Sequence, residues 1–249
     1  MEKLFGNNLM RLVMVLLTIV STNVWSENID SELNSAADKG NFSLVKKILD
    51  SKTIERDALH TAFWIAVKKG NPAIIERFLQ AGVDVNLRAD NSYTPLMQVA
   101  RDGRDQVVEL LLAAGADVNA VSDEKDTALI LASEKDRRKV VALLLATNVD
   151  VNARRNNGMS ALLLAAQEGH QQTIQALIKA KADVNSQLEN GATPLMLAAQ
   201  HGHLGAVNSL IAANADLNLK ASNGMTALML ANLYRYKEVI DLLKKAGAK

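Results

Sequence analysis

The chain of 249 residues has no cysteine, three prolines and an aromatic content of only 4%. Without cysteine there can be neither a thiol nucleophile nor disulfide staples, so stability has to come from packing alone. With so few aromatics, the 49% of hydrophobic residues must build a core from Leu, Val, Ile and Ala, which suits closely packed helices better than a sheet sandwich. Neither charge sign dominates: 28 basic and 27 acidic residues leave a net +1, with no nucleic-acid footprint and no acidic tail. Also missing are a Gly-rich phosphate loop, a Gly-x-Ser-x-Gly elbow and a His-Glu-x-x-His helix.

One apolar run is present near the start, Leu12 to Val20, too short to span a bilayer comfortably. Lys3 and Arg11 precede it, polar Ser21-Thr22-Asn23 follows, and Val24-Trp25-Ser26 places small or β-branched residues where a signal peptidase inspects. This pattern predicts a secretory signal over residues 1–26, cleaved after Ser26, with export to a bacterial periplasm. The signal has no cysteine at its end, so no lipoprotein anchor is expected. Removing Lys3, Arg11 and Glu2 would leave a formally neutral mature protein with no membrane attachment.

The dominant positive feature is a repeat. Thr94-Pro95-Leu96, Thr127-Ala128-Leu129, Ser160-Ala161-Leu162, Thr193-Pro194-Leu195 and Thr226-Ala227-Leu228 start 33 residues apart, and Thr61-Ala62-Phe63 lies one period upstream. Such a period means stacked units, each unable to bury its apolar face alone. Within one unit, Thr94 is an N-cap with Pro95 at the first helical position. Leu96, Val99 and Ala100 mark the inner face of a short helix that Gly103 ends. Val107, Val108, Leu110, Leu111 and Leu112 form a second helix with a wide apolar face, and Gly115 stops it before Asp117-Val118-Asn119.

These residues resemble the ankyrin repeat: a Thr-Pro-Leu opening, small residues in the first helix, a Gly between helices, then Gly-Ala-Asp-Val-Asn. The last element recurs at Gly82 to Asn86, Gly115 to Asn119, Asn148 to Asn152, Lys181 to Asn185 and Asn214 to Asn218. The resemblance covers nearly all of the chain after the signal. It implies an all-α solenoid of helix-turn-helix units with short β-hairpin loops, forming a single domain over 27–249. About seven repeats open near residues 31, 61, 94, 127, 160, 193 and 226, the first and last acting as caps with charged outer faces.

The chain departs from the family pattern in several places. Where the family commonly has His after Thr-Pro-Leu, this chain has Trp64, Met97, Ile130, Leu163, Met196 and Met229, so apolar packing replaces a polar network. The inter-helix Gly is Asp136 in one unit and Arg235 in another, and the hairpin Gly of Gly158, Gly191 and Gly224 is Ser92 and Lys125 elsewhere. A positive φ at such residues costs on the order of 1 kcal/mol. The unit opening at Thr127 lacks both glycines, and Arg137-Arg138 oppose the dipole of its second helix. The segment from Val121 to Arg138 is therefore expected to be the softest interior part of the stack.

No catalytic constellation is visible, so no enzyme activity, cofactor or metal is expected. His170 and His203 occupy the family's Gly-His position, where the resemblance implies capping or packing at the second helix. His201 and His203 could offer two metal ligands, but no partner is forced near them and the structural reading is preferred. The series Asp84, Asp117, Asp150, Asp183 and Asp216 is expected to accept hydrogen bonds within its own turns rather than form a carboxylate ladder.

What remains is the surface that a family member would use for binding, its concave face and hairpin tips. The tips contribute Asp90, Asn91 and Tyr93, then Asp123, Glu124 and Asp126, then Asn156 and Met159, then Glu189 and Met225. The first helices contribute Lys68, Lys69, Arg101, Asp102, Glu134 and Lys135, followed by Gln167, Glu168, Gln200, His201, Leu233 and Tyr234. These positions vary between units while the buried ones repeat, the sign of a common scaffold with an individual rim. Tyr93, Met159, Met225, Leu233 and Tyr234 are apolar or aromatic groups at places expected to be solvated, and such residues serve as interface anchors. The expectation is a non-catalytic interaction module, monomeric by itself, that binds a protein partner rather than nucleic acid. An inhibitor or immunity factor for a toxic or lytic enzyme is the alternative.

Overall fold

The computed structural model describes residues 29–51 and 54–249. The expected signal and its cleavage position lie outside the described residues. Packing divides the chain into two compact units, one running to Leu87 and the other covering Arg88–Lys249.

The first unit contains α1 (residues 29–38), α2 (Phe42–Ser51), α3 (Arg56–Lys69) and α4 (Pro72–Gln80). Its core is built from Leu33, Val45, Ile48, Phe63, Ile74, Ile75 and Phe78, with the Phe63 and Phe78 rings edge to face at 6.0 Å. Asn71 caps α4 by accepting from the Ile74 amide at 3.3 Å, with Pro72 at the first helical position. Thr61 corrects an expectation. It does not open a helix but lies inside α3, where its hydroxyl donates to the Asp57 carbonyl at 2.8 Å. Nothing between Arg56 and His60 breaks a helix, so the turn extends upstream and the Thr bonds back along it.

The second unit repeats one plan five times. First helices α5 (Pro95–Asp102), α7 (Ala128–Glu134), α9 (Ala161–Glu168), α11 (Pro194–Gln200) and α13 (Ala227–Leu233) alternate with second helices. These are α6 (Asp105–Ala113), α8 (Arg138–Leu145), α10 (Gln171–Lys179), α12 (Leu204–Ala212) and α14 (Lys237–Lys245). Each first helix starts at a Thr or Ser in extended conformation whose hydroxyl accepts the amide three residues on: Thr94, Thr127, Ser160, Thr193 and Thr226, at 3.2–3.3 Å. First helices pack on first helices and second on second, α5 on α7 through to α11 on α13 and α6 on α8 through to α12 on α14. The first helices α7, α9 and α11 are thus covered on both sides, and in α9 all of Ala161 to Ala166 are buried. Truncating such a residue, for example Leu162→Ala, removes about 2–5 kcal/mol.

The inter-helix position is left-handed whether or not Gly occupies it: φ is 75° at Gly169, 50° at Asp136 and 62° at Arg235. At Gly169 a side chain is excluded for a second reason. A Cβ there would lie 2.6 Å from the His203 ring of the following layer. That ring donates from Nε2 to the Gln167 carbonyl at 2.9 Å, as His170 does to the Glu134 carbonyl at 3.0 Å and Arg137 Nε to the Arg101 carbonyl at 2.9 Å. Each such bond satisfies an orphan carbonyl at the end of the preceding first helix. His170 and His203 thus have structural roles, but neither side chain caps its own second helix; each bonds across to the preceding layer.

The Asp series behaves as expected, each carboxylate accepting the amide two residues on: Asn86, Asn119, Asn152, Asn185 and Asn218. The Asn partners then tie layers together. The side-chain oxygens of Asn119, Asn152, Asn185 and Asn218 accept the amides of Asp150, Asp183, Asp216 and Lys249, at 2.8–2.9 Å. The loops expected as β-hairpins are closed by single turns, such as Arg155 N–H to the Met159 carbonyl at 2.9 Å. Among the described residues the one β-pairing is the antiparallel bridge between Arg154 and Ser160.

Candidate functional site

Within the second unit, successive loop tips ride on one another. The Asp123 amide donates to the Asn91 carbonyl at 3.2 Å, Asn156 to Glu124 at 3.1 Å, and Ser222 to Asn190 at 2.9 Å. The Ser92 hydroxyl donates to Asp123 Oδ1 at 2.6 Å, and Asn156 Nδ2 donates to the Asp123 carbonyl at 3.0 Å. Three of the four steps between neighbouring tips are therefore joined through backbone, which limits the ordering cost of a contact made on them.

Beneath three of these tips lies an open cavity of about 430 Å³. It is lined by Tyr93, Arg101, Glu124, Asp126, Leu131, Glu134, Lys135, Arg155 and Asn157. Six of these, Tyr93, Arg101, Glu124, Asp126, Glu134 and Lys135, were expected from sequence as binding residues; the structure gathers them from two layers into one site, and the next layer adds Arg155 and Asn157. Tyr93 packs beside the buried cluster of Met97, Ala120 and Leu131, and the Arg101 guanidinium sits 5.8 Å from the centre of its ring. Burial, and then the charge of Asp126, raise the Tyr93 hydroxyl above its ordinary pKa against the opposing pull of Arg101.

Arg155 is the organising group. Its Nε pairs with Asp126 and its Nη2 with Glu134, all three side chains being no more than 26% exposed. Burial alone would raise the Glu134 carboxyl, but the hydrogen bond and charge of Arg155, followed by those of Lys135 at 3.2 Å, hold it below its ordinary value. Burial opposes the charge on Arg155, and the two carboxylates outweigh it and raise its pKa. Sequence reasoning missed Arg155. A signal was present: the equivalent positions hold Ala89, Ser122, Leu188 and Ala221, so a lone Arg there is conspicuous.

Two expected site residues are corrected. Met159 is only 8% exposed, because it lies immediately before the buried cap Ser160 and points inward with it. Asp126, at 9%, is the ion-pair partner of Arg155 and not a free tip group. Asp90, Asn91, Asp123, Glu124, Asn156 and Glu189 are exposed on the tips, and Met225 is half-buried. Asp102, Gln167 and Gln200 are half-buried at first-helix ends, while Glu168, His201, Leu233 and Tyr234 are exposed there. Lys68 and Lys69 are exposed in the first unit, Lys69 paired with Asp38 at 2.8 Å.

His201 Nδ1 donates to the Leu197 carbonyl at 2.9 Å while its ring stacks on His203 at 5.9 Å, so one nitrogen of each ring is committed to a backbone carbonyl. Among the described residues no group of three His, Cys, Asp or Glu side chains could hold a metal. The cavity offers fixed charges of both signs, an aromatic wall and hydroxyl, and a partly apolar floor at Leu131. Those are the elements of recognition.

A family model for ankyrin repeats in three copies matches residues 33–122, 100–187 and 162–249. No curated protein matches the chain. Ankyrin repeats are protein–protein interaction modules and are generally non-catalytic. The period, the Thr and Ser caps, the stacked helix pairs and this match agree, and the chain belongs to the ankyrin repeat family.

Proposed function

We propose that this protein is a non-catalytic binding module that captures a protein partner along its loop tips and the exposed ends of its first helices, the concave side of an ankyrin array. The Tyr93–Arg155 cavity stands at the centre of that surface. The observation that carries this reading is the convergence of three layers' variable residues on one preorganised, charge-balanced site, against buried positions that repeat from layer to layer. A contact along four or five layers would bury about 800 Å² per side, enough for a stable complex. The partner is met in the bacterial periplasm, after export and cleavage of the N-terminal signal following Ser26. The signal-like pattern of residues 1–26 supports that location.

The test is affinity capture from periplasmic extract with the full chain as bait, followed by mass spectrometry. A specific partner should be recovered by the wild type and lost on the charge reversal Glu124→Lys with Lys135→Glu, two groups at the mouth of the cavity. Undiminished capture by that variant would overturn the assignment of this face. Sequencing the N-terminus of the exported protein checks the location independently, with Glu27 expected as the first residue.

A further inference from the structure

Each loop tip of the second unit has a position whose side chain can close the turn. Asn91, Asn157, Asn190 and Asn223 do so, each Oδ1 accepting the amide two residues on at 3.1–3.3 Å. The remaining tip has Glu124 there. Its turn is closed instead by Ser122, whose hydroxyl accepts the Asp126 amide at 3.0 Å. Glu124 is thereby released from the structural task of its column. Its carboxylate is exposed on the Tyr93 cavity, with the Asn156 side-chain amide 3.4 Å away.

The other charges of that cavity are answered. Arg101 lies 3.7 Å from Asp102, Lys135 pairs with Glu134 at 3.2 Å, and Arg155 holds Asp126 and Glu134. Among the described residues, Glu124 alone of the charged side chains lining it is in no ion pair. A second cavity, of about 340 Å³, is lined by Asn157, Leu188, Glu189 and Asn190. It lies at the one step between neighbouring tips, Asn157 to Glu189, that no backbone bond joins among the described residues. Asn157 borders both cavities. Glu189 is exposed and, like Glu124, in no ion pair among the described residues. Each cavity thus joins one unanswered carboxylate to an apolar wall, Tyr93 and Leu131 in the first and Leu188 in the second.

We propose that the partner meets these tips with an extended basic segment, setting one Lys or Arg side chain against Glu124 and a second against Glu189. Such side chains lay an aliphatic stem on an apolar wall and carry the charge beyond it, which is the pairing each cavity offers. The two carboxylates belong to tips two layers apart, about 20 Å at roughly 10 Å per layer. About six residues of extended chain cover that distance, and an even number returns both side chains to the same face. The segment is extended because Asn157 and Asn190 commit Oδ1 to their own turns and keep Nδ2 as a donor. An extended backbone has free carbonyls to accept from them, whereas those of a helix are used internally. This assignment rests on the binding reading of that surface and adds the chemistry of the partner.

The experiment uses the full chain and a fluorescein-capped, amidated peptide, Lys-Ala-Pro-Ala-Pro-Ala-Lys, beside a twin with Glu for both Lys. Fluorescence anisotropy should show saturable binding of the Lys peptide and binding at least about tenfold weaker for the Glu twin. Glu124→Gln, and separately Glu189→Gln, should each weaken the Lys peptide about fivefold with an unchanged circular dichroism spectrum. Glu109→Gln, which removes an exposed carboxylate of α6 away from both cavities, should leave it unaltered. A peptide with Gln for its second Lys should respond to only one of the two cavity variants. Absence of saturable binding, equal binding of the twins, indifference to both cavity variants, or equal weakening by Glu109→Gln overturns the proposal. If any of these occurs while Glu124→Lys with Lys135→Glu still abolishes capture of a partner, the surface binds by other chemistry and the binding reading stands without this one.

Discussion

The layer opening at Ser160 and the one opening at Thr127 trace the same backbone by different means. The first has Gly158 at its loop tip and Gly169 between its helices, where no side chain resists the left-handed backbone. The second puts Lys125 at φ 58° and Asp136 at φ 50°, each costing on the order of 1 kcal/mol. It then surrounds these positions with side-chain ties. Arg155 clamps Asp126 and Glu134, the Thr173 hydroxyl donates to Asp136 Oδ1 at 2.8 Å, and Arg138 Nε pairs with Asp136 at 3.1 Å. Arg138 and Arg137, badly placed for the dipole of α8, are both engaged by these cross-layer contacts. Backbone permissiveness and side-chain bracing are interchangeable routes to one geometry, and only the second also builds a charged site.

Removing the brace should have the largest effect. Arg155→Ala leaves two mostly buried carboxylates facing each other, and we expect a loss of about 2–3 kcal/mol in urea unfolding. Adding Asp126→Asn and Glu134→Gln should recover most of it. Failure of that triple variant to recover stability would mean that Arg155 acts through its packing and not its charge. Acid should erode the same contact. Folding lowers Glu134 below its ordinary 4.5, so its contribution is complete above that value and is lost as pH falls through the lower folded one. Wild-type stability should drop over that window below pH 4.5, and Glu134→Gln should flatten the slope there.

How much of this was legible beforehand follows from distance along the chain. Thr94 to Gly103 is a local sentence of cap, apolar face and stop, and the period repeats it, so helices and layers could be read directly. Arg155 with Glu134, Asn119 with Asp150 and His203 with Gln167 are partnerships between layers, and they become readable only when equivalent positions are aligned in columns. Met159 was misplaced because turn chemistry marks Asn157-Gly158 as a tip without saying how soon the chain re-enters the core. Thr61 was misplaced because it matches the repeat's letter, while the residues before it continue the helix.

The Asn ties offer a smaller contrast. Asn152→Ala removes one inter-layer bond to the Asp183 amide and should cost about 1 kcal/mol, with little dependence on pH. Of the two strained residues, Lys125 carries no side-chain tie, so Lys125→Gly should stabilise the protein by up to about 1 kcal/mol. Asp136→Gly gives up the Thr173 and Arg138 contacts along with the strain, so its net change should be near zero. Equal gains from both would show that the ties at Asp136 carry no weight.

The finest test is local. Bracing with side chains restores the geometry but not the breadth of the energy well, because each tie ends in long, partly exposed groups that screening weakens. Backbone amides from Val121 to Arg138 should therefore exchange hydrogen a few-fold faster than those of the layer opening at Thr193, which has Gly191 and Gly202 at the corresponding positions. In Arg155→Ala the difference should widen within Val121 to Arg138 alone. If exchange is equal in the wild type and Arg155→Ala accelerates both layers together, the stack opens as one cooperative block, and the Thr127 layer is no softer than its neighbours.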